Sequence, residues 1–516
     1  MRYGFVIDQR KCIGCHACTV ACKEENRVPL GAFRTWVKYI ERGTFPNTRR
    51  YFSVLRCNHC DAAPCVTICP TVALYRRDDG IVDFDGDRCI GCKSCMQACP
   101  YDALYIDPQT MTAAKCNYCA HRVEVGLEPA CVIVCPERAI IAGDLDDPAS
   151  QIATIVSREP VQVRKAEQGT RPKVFYLGAD AASLTPELQA PADRYLWAQR
   201  PAEEVDLINM VAAAQQTDHT PAAAGLSRPV YDVPHAVRPW GWKVAAYLWT
   251  KSIAAGALLV AAFAGSDSWG GLFHGVAPAL SLLFLALTTA LLVVDLKRPE
   301  RFAYILLKPN WRSWLVLGAW ILMAFGVAGA VWLVAGATGR FDLLHIVLMP
   351  SVLLALATAG YSAFLFGQAE GRDFWQSPLV LPHLIVAAVV AGAASLSVAA
   401  AVVPVQSAEA DPGATLWPLL FVALGAHGFL VGLEVFNRHA VHDATLAARL
   451  IGRGPYRGRF WIGVAVGGVV VPMALLIAGA AMDSTALSTL SALLALAGLW
   501  IWEDLWVKAG QSVPLS

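Results

Sequence analysis

Sixteen cysteines, all lying between Cys12 and Cys135, are the most concentrated chemistry in this chain of 516 residues. They form four groups of four. Cys12, Cys15, Cys18 and Cys22 are spaced C-x2-C-x2-C-x3-C, and Cys57, Cys60, Cys65 and Cys69 are spaced C-x2-C-x4-C-x3-C-P. Cys89, Cys92, Cys95 and Cys99 repeat the first pattern and add a proline. Cys116, Cys119, Cys131 and Cys135 have a long C-x11-C middle gap and close on Pro136. Three thiolates on a tight loop reach three corners of an iron–sulfur cubane. A fourth cysteine three residues on, usually before proline, points away and ligates the other cluster of a two-cluster unit. Sixteen thiolates then match four [4Fe–4S] clusters with no ligand left over. Structural zinc would use paired C-x2-C knuckles, without a third cysteine at x2 or x3 and a trailing Cys-Pro. Disulfides of a small secreted module would impose no repeated spacing.

The elements around these motifs divide sharply. Net charge is +1, which argues against a nucleic-acid partner, since that surface needs a basic excess. Hydrophobic residues make up 56% of the chain but are unevenly placed. Residues 1–240 read as a water-soluble stretch, with Val82-Asp-Phe and Leu104-Tyr-Ile as short hairpin strands after turn signals. Residues 179–238 are rich in Ala, Pro and Gln and read as an extended linker over the domain surface. Eight apolar runs follow, near 241–264, 271–294, 314–336, 343–366, 379–403, 416–435, 460–481 and 487–506, each long enough to cross a hydrocarbon core. Tryptophans such as Trp240, Trp314, Trp461 and Trp506 sit near run ends, as an aromatic belt does.

Loop charge gives an orientation. An even number of spans puts the cysteine-rich half and the C-terminal tail on one face. Loops on that face carry Lys297, Arg298, Arg301, Lys308, Arg312, Arg372, Arg438, Arg449, Arg453, Arg457, Arg459 and Lys508, against Arg340 alone opposite. The positive-inside rule then predicts a multi-pass protein of the inner (plasma) membrane with its cluster domain in the cytoplasm. The opening Met-Arg-Tyr-Gly-Phe-Val-Ile-Asp, with no apolar h-region, cleavage site or twin arginine, carries the same expectation.

Arg10-Lys-Cys-Ile-Gly-Cys-His-Ala-Cys, Cys57-Asn-His-Cys…Pro64-Cys, Lys115-Cys-Asn-Tyr-Cys…Gly126-Leu-Glu-Pro-Ala-Cys and Gly143-Asp-Leu-Asp-Asp-Pro resemble the four-cluster electron-transfer subunits of molybdopterin oxidoreductases. That family includes the iron–sulfur subunits of dimethyl sulfoxide, polysulfide, tetrathionate and nitrate reductases and formate dehydrogenases. The resemblance covers roughly residues 3–180. It implies that the first motif shares clusters with the fourth and the second with the third. One set is then Cys12, Cys15, Cys18 and Cys135, and its neighbour Cys116, Cys119, Cys131 and Cys22. The inner sets are Cys57, Cys60, Cys65 with Cys99, and Cys89, Cys92, Cys95 with Cys69. Asp295-Leu-Lys-Arg-Pro-Glu-Arg-Phe, Ser313-Trp…Gly318-Ala-Trp and Ala509-Gly-Gln-Ser-Val-Pro-Leu resemble the heme-free, quinone-reactive polysulfide reductase membrane subunit (NrfD-like) family, over about 238–516. Many of those relatives are separate chains facing the periplasm; the fusion and loop charge here point to the other face.

The expected architecture is therefore an α+β ferredoxin-like tandem-repeat iron–sulfur domain (1–178), a linker (179–238) and an all-α polytopic bundle of eight transmembrane helices (239–516). The expected function is electron carriage between a molybdopterin-type catalytic subunit and menaquinone or ubiquinone, with the quinone site in the bilayer. The alternative is a redox-driven proton-translocating module. A quinone site needs donors to the carbonyl oxygens and a protonatable group nearby. Polar residues in apolar spans are costly and so are candidates for it. Tyr361 stands where the resemblance implies a quinone-contacting tyrosine in the fourth span. Lys251 is expected to pair with Asp295, and His383 is expected as a proton donor on the same face. Glu434, Glu503 and Asp504 read most simply as interfacial residues, and His274 and His345 as helix-end residues toward the other face.

Overall fold

In a computed structural model, which describes residues 1–189, 227–234, 238–264, 270–403 and 413–516, the cysteine-rich half is built around Tyr3–Asp8 (β1). Every residue of β1 after Tyr3 is buried, because strands flank it on both sides. Ile140–Asp144 (β8) pairs with it antiparallel and Val174–Leu177 (β10) parallel, with Val161–Gln162 (β9) outside β10. A second sheet is the long hairpin Thr35–Thr44 (β2) and Asn47–Arg56 (β3), extended on the β2 side by Ser227–Tyr231 (β11). The two expected short hairpins are present, as Leu74–Arg76 (β4) with Val82–Phe84 (β5) and Tyr105–Ile106 (β6) with Ala113–Ala114 (β7). The stretch read as a linker is thus partly integral: β11 belongs to a sheet, and Asp232 beyond it is buried against Lys38 at 3.3 Å. Residues 190–226 of that stretch lie outside the described residues.

Eight helices are long and apolar enough to cross a membrane: Trp242–Phe263, Leu272–Asp295, Trp314–Ala337, Phe341–Gly367, Val380–Val402, Gly413–Phe436, Arg459–Ala481 and Thr485–Gly510. The first is the axle of the bundle, 89% buried against 22–50% for the others. Gly256 and Gly392 let its backbone meet that of the fifth, because any side chain at either position would strike the opposing main chain. Small residues are what allow such close helix packing in lipid.

The two halves are joined at the loop that carries the third motif. The amides of Lys297 and Arg298 donate to the carbonyls of Gly91 and Ile90 at 3.2 and 3.1 Å. Arg301 donates to Gly86 and Cys89 carbonyls, Asn310 to Cys69 O at 2.8 Å, and Ser313 Oγ to Ile68 O at 2.7 Å. Gln97 bonds Gln511 and Arg372, and Gly371 lies so close to Cys99 O and Gln97 O that a Cβ would fall 2.7 Å from each. The segments after the second span, before the third and at 509–515 are therefore the docking surface of the cluster domain.

Candidate cluster cradles and membrane cavity

Each cysteine motif makes the same backbone turn. The residue before the second cysteine is in the left-handed region in all four: Gly14, His59, Gly91 and Tyr118, with φ of 72°, 44°, 69° and 63°. Glycine adopts this freely, whereas His59 and Tyr118 must be held there. His59 Nδ1 accepts from the Val82 amide, and Tyr118 OH donates to Gly4 O at 2.7 Å while accepting from the Gly143 amide. The turn aims backbone amides at sulfur. The His59, Leu74, Gly91 and Ala139 amides donate to Sγ of Cys57, Cys69, Cys89 and Cys135 at 3.2–3.4 Å.

The thiols gather in four sets. Cys12 faces Cys135 and Cys15 closely enough for their charges to repel, and Cys22 faces Cys116, Cys119 and Cys131. Cys65 faces Cys99, Cys57 and Cys60, while Cys95 faces Cys92, Cys89 and Cys69. Contacts between sets follow one order. Cys18 reaches Cys131, Cys116 reaches Cys57, and Cys95 reaches Cys65, so the sets form a file from the exposed Cys15 to the membrane-facing Cys92. None of the sixteen is in a disulfide. Four thiols in each set is the number that a [4Fe–4S] cubane takes.

Arg56 adds an independent test. Its guanidinium is 1% exposed, lies over Phe5 at 4.5 Å and donates to Cys131 Sγ at 3.1 Å, with Nε and Nη2 unbonded. A buried cation needs a compensating anion. The charges nearest it are those of Cys131, Cys116 and Cys18. Burial pushes the Cys116 and Cys18 thiols beside it up to about 12. An iron–sulfur centre on these sulfurs would supply the anion that Arg56 needs.

Beyond Cys92 lies a cavity of about 890 Å³ in the membrane half. Its walls are mainly Leu, Val and Ala from the second and third spans. Polar groups are few: Ser94, Lys243, Tyr247, Thr289, Asp295 and Tyr361. Trp240 borders it, donating Nε1 to Cys92 O at 3.2 Å and stacking on Trp375 at 5.5 Å. Tyr361 is 4% exposed, its ring packed on Gly318 where any side chain would collide with it.

Of the expected site residues, Tyr361 and Asp295 line the cavity, while Lys251 and His383 are not among its lining residues. The expected Lys251–Asp295 pair does not form. Asp295 Oδ2 accepts from Lys93 of the third motif at 2.8 Å. Lys251 Nζ instead donates to Ala359 O and Ser362 Oγ, one layer behind the cavity and 5.0 Å from the Tyr361 ring centre. His383 Nδ1 is 3.4 Å from Glu434 Oε2. Glu434, Glu503 and Asp504 are 1–4% exposed, enclosed by neighbouring helices, and Asp504 Oδ2 accepts from Arg459 and Lys508 at 2.7 Å near the helix ends, as an interfacial residue can. Tyr247 lines the cavity as well, beyond the residues expected from sequence. Its position four residues before Lys251, on the same helix face, was the available signal.

Comparison with known proteins agrees with this layout. Residues 232–514 match the family model described as polysulphide reductase, NrfD. Residues 48–145 match a 4Fe-4S dicluster domain and residues 10–26 a 4Fe-4S binding domain. A tetrathionate reductase subunit of Salmonella typhimurium is 50% identical over 200 residues, covering 38% of this chain and 80% of that protein. A polysulfide reductase chain of Wolinella succinogenes is 42% identical over 179 residues, 34% of this chain and 93% of that one. The arsenate respiratory reductase iron–sulfur subunit of a Shewanella species is 36% identical over 228 residues, 34% of this chain and 96% of its own length.

A unit charge at hydrogen-bond range of a ligand sulfur contributes a few kcal/mol at an effective dielectric near 20. Arg56→Met should therefore lower the midpoint potential of the centre holding Cys131 by on the order of 100 mV, with iron content kept. Redox titration followed by electron paramagnetic resonance reads this shift, and an unmoved potential would mean that Arg56 is not balanced by that centre.

Proposed function

The chain belongs to the NrfD polysulphide reductase family over its membrane half and to the 4Fe-4S reductase subunits over its cysteine-rich half; from that premise we propose that it carries electrons between a molybdopterin-type catalytic partner and membrane quinone. Four [4Fe–4S] clusters, held by the four thiol sets described above, would supply one-electron carriage along the file. The observation that carries the quinone reading is the cavity, bordered by a cluster ligand, Cys92, at one end and by buried hydroxyls at the other. Its apolar walls suit a quinone ring and tail, and its few polar groups suit the carbonyl oxygens. Tyr361 and Tyr247 are the donors to those oxygens. Trp240 lines the cavity beside Cys92, whose carbonyl oxygen accepts from its ring N–H. Asp295 acts on the motif rather than on quinone: it holds Lys93, and with it the loop of Cys92, at the cavity mouth. Menaquinone and ubiquinone both satisfy this arrangement.

The cytoplasmic face is the side we propose for the cluster domain. Arg298, Arg301 and Arg372 dock that domain by hydrogen bonds. Nine of the cations named above remain after removing them from the twelve, against Arg340 on the opposite face, so the bias survives.

Two experiments test these readings. Purified protein, with about sixteen iron and sixteen acid-labile sulfide per chain, is reduced by an artificial donor and then given quinone. Tyr361→Phe should slow reoxidation by about tenfold or more with iron content unchanged, whereas wild-type quinone kinetics would move the site elsewhere. Arg457→Cys should add labelling by an impermeant maleimide, above that of the unmutated chain, in inside-out vesicles only; added labelling in right-side-out cells would reverse the orientation.

A further inference from the structure

Behind the cavity lies a set of buried titratable side chains that quinone binding does not use. Lys251 is 0% exposed, Glu503 and Glu434 1%, His427 2% and His383 4%. Lys251 leads from the cavity: its Nζ shares Ser362 Oγ with the hydroxyl of the cavity residue Tyr247. Glu503 comes next, within electrostatic reach of Lys251, His383 and Glu434. His383 stacks on Trp502 at 5.3 Å and presents Nδ1 to Glu434 Oε2 at 3.4 Å. Glu434 stands two residues from the end of its helix at Phe436, on the face bearing the cluster domain. There half-exposed His439 bonds its carbonyl oxygen at 2.9 Å. By helix rise, Lys251 lies about 13 Å inside that face and Glu434 about 3 Å. The set thus climbs from the cavity to the surface.

A salt-bridged lock would be the ordinary use of two cations and two carboxylates in lipid. Such a lock satisfies its polar atoms, because an unsatisfied buried group costs several kcal/mol. This set does not. Lys251 donates to a carbonyl and a hydroxyl rather than to a carboxylate. Glu503 Oε1, Glu434 Oε2 and both ring nitrogens of His383 make no hydrogen bond. His383 and Glu434 stand at ion-pair range and Trp506 Nε1 holds Glu434 Oε1 at 2.6 Å, while Glu503 neighbours Lys251, His383 and Glu434, so the groups adjoin one another without the mutual hydrogen bonds of a lock. His427, edge-on to His383 at 5.1 Å, has that ring as its charged neighbour, and among the described residues no titratable chain continues from it to the opposite face.

We propose that Lys251, Glu503, His383 and Glu434 form a proton relay connecting the quinone cavity with the membrane face that bears the cluster domain. The inference rests on the quinone reading above. Reduction of one quinone takes two electrons and two protons. The electrons arrive from the Cys92 side. In the relay each proton enters beside His439, passes by way of Glu434, His383 and Glu503 to Lys251, and replaces the proton that a Tyr247 or Tyr361 hydroxyl gives to a quinone oxygen. Quinol oxidation runs the same path outward. Electrons and protons then meet at the cavity from one face, and the quinone chemistry itself moves no charge across the bilayer.

The test uses the whole chain in liposomes with menaquinone, sorted by orientation, with an artificial donor and a pH dye on either side. Proton uptake is expected on the cluster-bearing side, with a solvent deuterium isotope effect on turnover. Glu503→Gln should slow turnover at least about tenfold while iron content and binding of a quinone-analogue inhibitor stay at wild-type values, and Glu503→Asp should restore most of the rate. His383→Gln is the second variant, should Glu503→Gln fail to assemble. Wild-type turnover in both variants with binding intact, or proton uptake on the opposite side, would overturn the relay and leave the quinone site standing. Failure of the unmutated protein to bind the analogue would overturn the quinone reading and the relay with it.

Discussion

Two backbone carbonyls, those of Ile90 and Gly91, and a third, that of Cys92, accept from Arg298, Lys297 and Trp240 of the membrane half. The rest of the arrangement depends on this seam. It sets the last thiol set against the cavity, and its geometry is exacting. At Gly91, with φ of 69°, a Cβ would fall 3.0 Å from Met111 O and 3.1 Å from the Lys297 amide. Only glycine gives both the turn and the approach. The Lys93–Asp295 pair, at 2.8 Å, fastens the same loop from its other side. Electron transfer between two bodies needs a fixed separation, and a seam made of main chain is harder to shift than one made of long side chains.

The seam also explains why two readings of the same residues coexist. Arginines that count toward membrane topology by composition are, in part, hydrogen-bonded to the cluster domain: Arg298 to Thr110 O, Arg301 to Gly86 O, Arg372 to Gln97. Motifs after the second span and at 509–515 read as family signatures because they touch the partner half. Gln511 joins Gln97 to Trp240, and the Val513 carbonyl accepts from Arg372.

Much of this was legible beforehand, for a physical reason. Cysteine spacing and span length are local properties, so the thiol motifs and the eight helices could be read directly, with span ends within a few residues. Depth along the helices already separates Lys251, about 13 Å inside the face, from Asp295 at the last residue of its span, and the two serve different neighbours. Helix rise does not give the face that a side chain presents. Lys93 lies 202 residues before Asp295 and in the other half, beyond the reach of any periodicity. The His383–Glu434 contact likewise needs two spans at a known rotation. Trp240 shows the converse: as a run-end tryptophan it read as a belt residue, and its position beside Cys92 gives it another role.

Quinone is proposed to sit between the last thiol set and the buried tyrosines. The most direct measurement is an electron-microscopy structure of the purified protein with a tight-binding quinone analogue. The headgroup is predicted between Tyr247 and Tyr361, below Trp240 and Cys92, with its tail leaving between the second and third spans. Analogue density at the opposite face near His274 and His345, with lipid filling the cavity instead, would contradict it.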